Sequence, residues 1–247
     1  MRFDKMITAG LLFLLFFSNN GYSQQQKPAP NNGFAVVELF TSEGCSSCPA
    51  AEAVLAQLNK EHLQNVYVME FHVDYWNYIG WKDVFSSSEY TKRQQQYAGL
   101  LGLSSTYTPQ AIVNGKNELV GSDKKKLRSL VKTSLQKAPG NTIGLAASAK
   151  AGNIAIAYSV ANTSGQLLNI ALVQKSAETD VRRGENSGRK LKHINIVREL
   201  KTIAAKEKGE INIALPKGLS AGDRFIIAYT QGKDTWNVSG AAETAIE

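Results

Sequence analysis

Apolar positions along the chain fall into two regimes that meet near Pro139. In the first, continuous apolar runs alternate with helical spacing. Phe34 to Phe40 is an almost unbroken apolar run of strand length, the pattern of a strand covered on both faces. It ends at Thr41-Ser42-Glu43-Gly44. From Pro49, the residues Ala51, Val54, Leu55 and Leu58 recur at helical spacing, with Glu52, Gln57, Asn59 and Lys60 between them, which predicts an amphipathic helix. Val66 to Val73 reads as a second buried strand, and a crossover of this length implies a parallel pair with a right-handed connection. Tyr75 to Phe85 has no period but holds Trp76, Gly80 and Trp81, and is expected to be a loop packed by its own aromatics. A helix from about Glu89 to Leu100 follows, with Ser88 as its cap. Gln110 to Gly115 reads as a strand ending in an Asn-Gly turn, with Glu118 to Gly121 as its hairpin partner. A last helix is expected from about Asp123 to Lys137, capped by Ser122 and stopped by Pro139-Gly140.

Beyond Asn141 the helical spacing gives way to short alternating or β-branched stretches: Ile154 to Val160, Leu168 to Val173, Ile194 to Leu200, Ile211 to Leu215 and Phe225 to Tyr229. Turn residues separate them. The expected fold is therefore an α/β domain over residues 34–139 followed by an all-β, sandwich-like domain over 140–247. Residues 24–33 are Gln, Pro and Asn with little apolar content and read as a flexible lead-in. Before them, Arg2 and Lys5 precede an apolar run from Met6 to Phe17 and a polar exit, the pattern of a secretory signal peptide over residues 1–23. The run is shorter than the roughly 20 residues of a membrane span, so no transmembrane segment is expected after its removal. A secreted or periplasmic location follows.

Export changes the meaning of the two cysteines, because disulfides persist outside the cytosol. Cys45 and Cys48 are three positions apart, and so short a loop removes little entropy from the unfolded chain. The pair is suited to chemistry rather than to stapling the fold. The net charge of +7 is spread along the chain. Its basic clusters, Lys124-Lys125-Lys126 and Arg182 to Lys192, are read as solvated faces, with an acidic partner or a membrane surface as the alternative. No nucleic-acid partner is expected. No glycine-rich nucleotide fingerprint and no nucleophile elbow appears, so no cofactor is expected either.

A strand, a turn, C-x-x-C and a helix put the first sulfur at a helix N-terminus, where free backbone N–H groups and the helix dipole stabilise a thiolate. Cys45 is accordingly expected to be the exposed, acidic nucleophile and Cys48 the resolving thiol. His72, at the end of the second strand, lies at the same sheet edge. It is a candidate proton shuttle for Cys48, a third metal ligand, or a histidine hydrogen-bonded beneath the Trp76 and Trp81 loop; Asp74 is placed to face the same way. Arg182, Arg183, Glu185, Asn186, Arg189, His193 and Arg198 are dense in charge for a β domain. They are read as a network of Arg–carboxylate pairs in a long hairpin, or else as a segment folded over the cysteine edge.

Tyr107-Thr108-Pro109-Gln110 stands directly before the third strand. With C-x-x-C after the first strand and the element order, it makes residues 34–137 resemble the thioredoxin superfamily. That resemblance implies a cis Pro109 that shapes a groove for an extended substrate segment. The chain departs from ordinary thioredoxins in having Gly44 before the first cysteine and Ser46-Ser47 between the two. A closer similarity rests on Val37 to Pro49, Phe71 to Trp76, Gly80-Trp81-Lys82-Asp83, Val113-Asn114-Gly115, Arg183-Gly184-Glu185-Asn186 and His193 to Arg198. These strings resemble the DUF1223 family, bacterial secreted proteins of undefined function with a thioredoxin-like fold. The expected function is thiol–disulfide exchange through Cys45 and Cys48 with a dedicated exported protein partner. The alternatives are a soft-metal protein holding Cu(I) on Cys45, Cys48 and His72, and a binding module with a structural disulfide.

Overall fold

The structure is a computed structural model and describes residues 33–61, 63–150 and 152–247. The expected signal peptide and most of the lead-in lie outside these residues. No helix among the described residues is long and apolar enough to cross a membrane.

Strand β1 (Ala35–Thr41) is buried along its whole length, as its unbroken apolar run predicts. Helix α1 (Cys48–Lys60) leads to β2 (Val66–His72), which pairs in parallel with β1 from Ala35↔Val66 to Thr41↔His72. Helix α2 (Ser88–Leu100) is capped by Ser87, one residue before the expected cap, whose hydroxyl accepts from the Glu89 N–H. Strands β3 (Gln110–Val113) and β4 (Asn117–Val120) form the hairpin. Its turn residues Asn114 (φ 51°) and Gly115 (φ 66°) are both left-handed, as a tight hairpin turn requires. Helix α3 (Lys124–Leu135) is capped by Asp123, which accepts from Lys126 N–H, rather than by Ser122.

The second half comprises β5 (Ile143–Lys150), β6 (Asn153–Val160), β7 (Gln166–Asp180), β8 (Lys190–Ala204), β9 (Lys208–Ala214), β10 (Arg224–Gly232) and β11 (Val238–Ala245). The sequence pattern missed β5 and β11, which are rich in small residues and leave much of their length exposed. β7 and β8 form a hairpin with arms of 15 residues each, longer than the apolar stretches that mark them.

The architecture is mixed α/β. One eight-stranded sheet runs in the order β11-β10-β7-β8-β2-β1-β3-β4, and β5-β6-β9 make a separate antiparallel sheet. The large sheet therefore crosses the position near Pro139 where the sequence changes character, and the described residues form one compact unit. Ile154, Ile156 and Ile213 of the small sheet pack with Leu168, Ile170, Leu172 and Ile226 of the large one. On the other half, Ala35, Val37 and Leu39 pack with Leu55 and Leu58 of α1 and Leu127 and Val131 of α3. Each such buried valine, leucine or isoleucine contributes about 1.5–3 kcal/mol.

The opposite face of β1 carries Glu38, which is fully buried. Arg93 of α2 binds it through Nε at 2.6 Å and a terminal nitrogen at 3.0 Å. The Tyr97 hydroxyl donates to the same carboxylate at 2.6 Å, while Tyr229 and Gln231 of β10 accept from Arg93. This network ties the two halves together through one guanidinium. Arg93→Ala leaves the Glu38 carboxylate buried without its cation, and is expected to lower the free energy of unfolding by about 3–5 kcal/mol, read from urea unfolding curves.

Candidate functional site

The turn that follows β1 is fixed before it reaches the cysteines. The Gly44 N–H donates to the Ser42 hydroxyl at 3.1 Å, and Cys45 N–H to Ser42 O at 3.1 Å. An added Cβ on Gly44 would lie 3.0 Å from Cβ of Trp76 and 3.2 Å from Cδ1 of Ile79, so the loop after β2 packs tightly on this glycine. Cys48 opens α1, with Pro49 in its first turn and no side-chain cap from Ser47. The two cysteines are joined as a disulfide, with Cα atoms 5.4 Å apart.

Pro109 lies at the same edge. β3 pairs antiparallel with β1 from Phe40↔Gln110, which sets the Thr108–Pro109 bond, cis in this structure, at the end of β1. A Cβ on Gly121 would meet Ala51 of α1 at 3.1 Å and Pro109 at 3.4 Å. Trp76 links both sides of the edge: it packs on Gly44, and its indole N–H donates to the Thr108 hydroxyl at 2.8 Å.

Cys45 is not exposed, contrary to expectation: 1% of its surface is accessible, and Cys48 is fully buried. The cover is the loop at the tip of the β7–β8 hairpin. Asn186, itself fully buried, donates from Nδ2 to Glu43 O and to Cys45 O, both at 2.9 Å. Arg189 donates to Asn186 Oδ1 at 2.8 Å and sets the amide's orientation. Glu185 Oε2 accepts from Ser46 N–H at 3.0 Å, and Gly184 packs against Ile79. The segment thus folds over the cysteine edge. The expected network of Arg–carboxylate pairs is not what holds it: among the described residues no carboxylate is within ion-pair distance of Arg182, Arg183, Arg189 or Arg198. Arg198 instead stacks over Phe85, 5.3 Å from the ring centroid.

The electrostatics at Cys45 are mixed. The Ser47 hydroxyl lies 3.4 Å from its sulfur, placed to donate to a thiolate. Glu185, however, occupies a backbone N–H of the same turn with a negative charge, and the hydrogen bonds from Ser46 hold its carboxyl below the usual range. A carboxylate there opposes a neighbouring thiolate.

Behind the turn lies a second group of polar side chains, all buried: Glu43, Glu52, Glu70, His72, Asp83 and His193. His72 Nδ1 is 2.7 Å from Asp83 Oδ2. Asp83 also accepts from Glu43 N–H at 2.9 Å and from Phe85 N–H at 2.9 Å. Trp81 Nε1 donates to Glu43 Oε2 at 2.7 Å, and Thr41 donates to Glu52 Oε1 at 2.6 Å. His193 lies between Glu43 (3.4 Å from Nε2) and Glu52 (3.3 Å from Nδ1). These are ion-pair distances without hydrogen-bond geometry, and both its ring nitrogens lack a hydrogen-bond partner. Burial works against charge on His193, yet Glu43 and Glu52 outweigh it and hold the imidazole up at about 9. Burial likewise opposes charge on His72, and Asp83 outweighs it, raising the group well above its ordinary value. Burial lifts Glu70 to about 7 against the pull of both histidines.

His72 therefore sits beneath the Trp76 and Trp81 loop, held by Asp83 and facing Glu70. Its recorded polar contacts do not include either sulfur. Asp74 does not join it: beyond the end of β2, it binds the Thr91 hydroxyl of α2 at 2.6 Å. Sequence reasoning missed Glu43, Glu52, Glu70 and Asp83 as a group. Two signals were available. Glu70 interrupts an apolar strand, where an unpaired carboxylate is expensive. Glu52 is four residues after Cys48 and three before Leu55, on the buried stripe of α1 rather than its polar face.

The model of the family described as "Protein of unknown function (DUF1223)" matches residues 36–231. The chain belongs to the DUF1223 family. The matched span contains both cysteines, Pro109, the buried polar group and the covering loop. A crystal structure of protein AGR_C_4864 from Agrobacterium tumefaciens is similar, at 26% identity and a TM-score of 0.64, over 85% of this chain and 92% of that one. HBP35 of Porphyromonas gingivalis is similar in fold, at 16% identity and a TM-score of 0.54, over 87% of this chain and 76% of that one. No curated protein matches the chain.

The covering loop of this DUF1223 protein yields a direct prediction. Asn186→Ala removes the donor to Glu43 O, at about 1–3 kcal/mol for a buried carbonyl left unpaired, while Cys45 O keeps the Cys48 N–H at 3.2 Å. The expected outcome is faster reduction of the Cys45–Cys48 disulfide by dithiothreitol than in the unaltered protein, followed by alkylation and intact mass. An unchanged rate would mean that Asn186 does not limit access.

Proposed function

We propose that this protein is a thiol–disulfide exchange protein of an exported compartment, with a thioredoxin-like arrangement of its cysteine edge. Cys45 is the attacking or attacked sulfur, Cys48 the resolving thiol, and Pro109 one wall of the partner groove. The observation that carries this reading is the convergence of three features at one sheet edge: a C-x-x-C pair opening a helix, the cis Thr108–Pro109 bond, and Trp76 bridging the two. In the exchange itself, a Cys45 thiolate displaces one sulfur of a partner disulfide and forms a mixed disulfide. Cys48 then attacks Cys45, closes the intramolecular bond and releases the reduced partner. The loop bearing Asn186 must leave the edge for this to occur, which supports a dedicated partner over general reduction. The segment before residue 33 fits a signal peptide and supports the exported location.

A second reading, a binding module with a permanently closed disulfide, is favoured by the 1% exposure of Cys45. A Cu(I) site on Cys45, Cys48 and His72 is supported less, because Asp83 holds His72 by Nδ1 and its Nε2 lies toward Glu70.

The reduction potential decides between the first two. Equilibration in glutathione buffers is expected to give a value between roughly −270 and −120 mV, the span of known exchange catalysts. A value below about −300 mV would mark a structural disulfide and overturn the exchange reading. Glu185→Gln, which removes a negative charge from the turn, is expected to lower the pKa of reduced Cys45, seen as faster alkylation at fixed pH.

A further inference from the structure

Three side chains of the buried polar group converge on one point that the cysteines do not share. His72 Nε2 is 3.8 Å from Glu70 Oε2, and His193 Nδ1 is 3.9 Å from the same oxygen. The donor atoms of Glu70, His72 and His193 all lie within 4.8 Å of one another. Each side chain is buried, with His72 and Glu70 fully enclosed and His193 exposing 1% of its surface. Each also has an unpartnered atom: Oε1 of Glu70, Nε2 of His72 and both ring nitrogens of His193. Buried polar atoms in folded proteins are nearly always paired. Nε2 of His72 and Nδ1 of His193, both without partners and both beside Glu70 Oε2, mark a place for a group between them.

We infer that Glu70, His72 and His193 bind one divalent transition-metal cation, in a site separate from the cysteine pair. Two imidazoles and a carboxylate suit zinc and its borderline neighbours and do not favour hard or very soft ions. Metal–ligand bonds of about 2.0–2.2 Å place tetrahedral donors about 3.3–3.6 Å apart. The two distances to Glu70 need an inward shift of about 0.2–0.6 Å to reach this range, and the histidine pair, within 4.8 Å, one of up to about 1.5 Å.

The surroundings match what such a site requires. A metal-bound histidine commonly directs its other ring nitrogen at a carboxylate, which fixes the tautomer. Asp83 does this for Nδ1 of His72 at 2.7 Å, leaving Nε2 aimed at Glu70. Glu43 faces Nε2 of His193 at 3.4 Å, leaving Nδ1 toward Glu70 and Glu52. Glu52 Oε2 lies 3.3 Å from Nδ1 of His193, the separation of two ligands on one ion. Among the described residues no lysine or arginine pairs with Glu43, Glu52, Glu70 or Asp83, so the positive charge these carboxylates call for must come from the histidines or from a cation. The enclosure marks a structural site. It would cross-link β2 and β8.

The test uses the full chain with its disulfide intact, stripped with a chelator and dialysed against Zn2+. Metal analysis is expected to give one zinc per chain, unchanged in a Cys45→Ser/Cys48→Ser variant and lost in His72→Ala and His193→Ala. Since either histidine variant may unfold, X-ray absorption on the zinc-loaded natural protein provides the second reading. It is expected to show nitrogen and oxygen neighbours at about 2.0–2.2 Å and no sulfur. Absence of stoichiometric zinc, sulfur in the first shell, or full retention of zinc in both folded histidine variants would overturn the site. None of these outcomes depends on the reduction potential of the cysteines, so this inference and the exchange reading stand or fall separately.

Discussion

The fold hinges on how β2 meets β8, because there the two halves of the large sheet join and there a carboxylate is buried. The backbone register between these strands has a single pair, Glu70↔Ile196. Side chains complete what the ladder leaves open. Glu70 Oε2 accepts from Ile194 N–H at 3.1 Å, and Asn195, in the left-handed region at φ 47°, donates from Nδ2 to Val68 O at 3.0 Å. Glu70 thus closes the sheet through Oε2, the same oxygen that lies 3.8 Å from His72 Nε2 and 3.9 Å from His193 Nδ1. A buried carboxylate without compensation would not be tolerated. The seam of the fold and the polar group behind the cysteines are therefore one structure.

That arrangement explains why the cysteine edge is covered from the second half. With β8 paired beside β2, the tip of the β7–β8 hairpin reaches the carboxyl end of the parallel strands, where open α/β sheets present their sites. His193 enters the buried group from the start of β8, and Asn186 from the tip binds the turn carrying Cys45. Glycine at position 44 is the counterpart of this crowding, since a Cβ there would stand 3.0 Å from Trp76 and 3.2 Å from Ile79.

The helices, the first two strands and the Asn-Gly hairpin were legible because each carries a local signal: period, cap or turn chemistry. The covered edge was half legible. C-x-x-C, Thr-Pro and the charged Arg182 to Arg198 segment all stood out, but whether that segment made ion pairs with itself or packed over the cysteines is a matter of sheet order. Sheet order depends on pairings between residues more than a hundred positions apart. The polar group was illegible as a group for the same reason. Glu43, Glu52, Glu70, Asp83 and His193 come from five different elements or loops, and no spacing within any one of them announces the others.

Access to Cys45 follows from the same geometry. The loop is held chiefly by the two hydrogen bonds of Asn186, since Glu185 makes its contact at the solvent surface, where charge pairing is weak. Two hydrogen bonds at a net of about 1 kcal/mol each disfavour the open edge about thirtyfold, as 1.4 kcal/mol is tenfold. A reagent that requires the edge open would be slowed by that factor. A partner whose own backbone satisfies the carbonyls of Glu43 and Cys45 in place of Asn186 would recover most of it. Movement of Glu43 is more costly, because its N–H is bonded to Asp83 and its carboxylate to Trp81. The edge can therefore open by lifting the loop while the turn beneath stays in place.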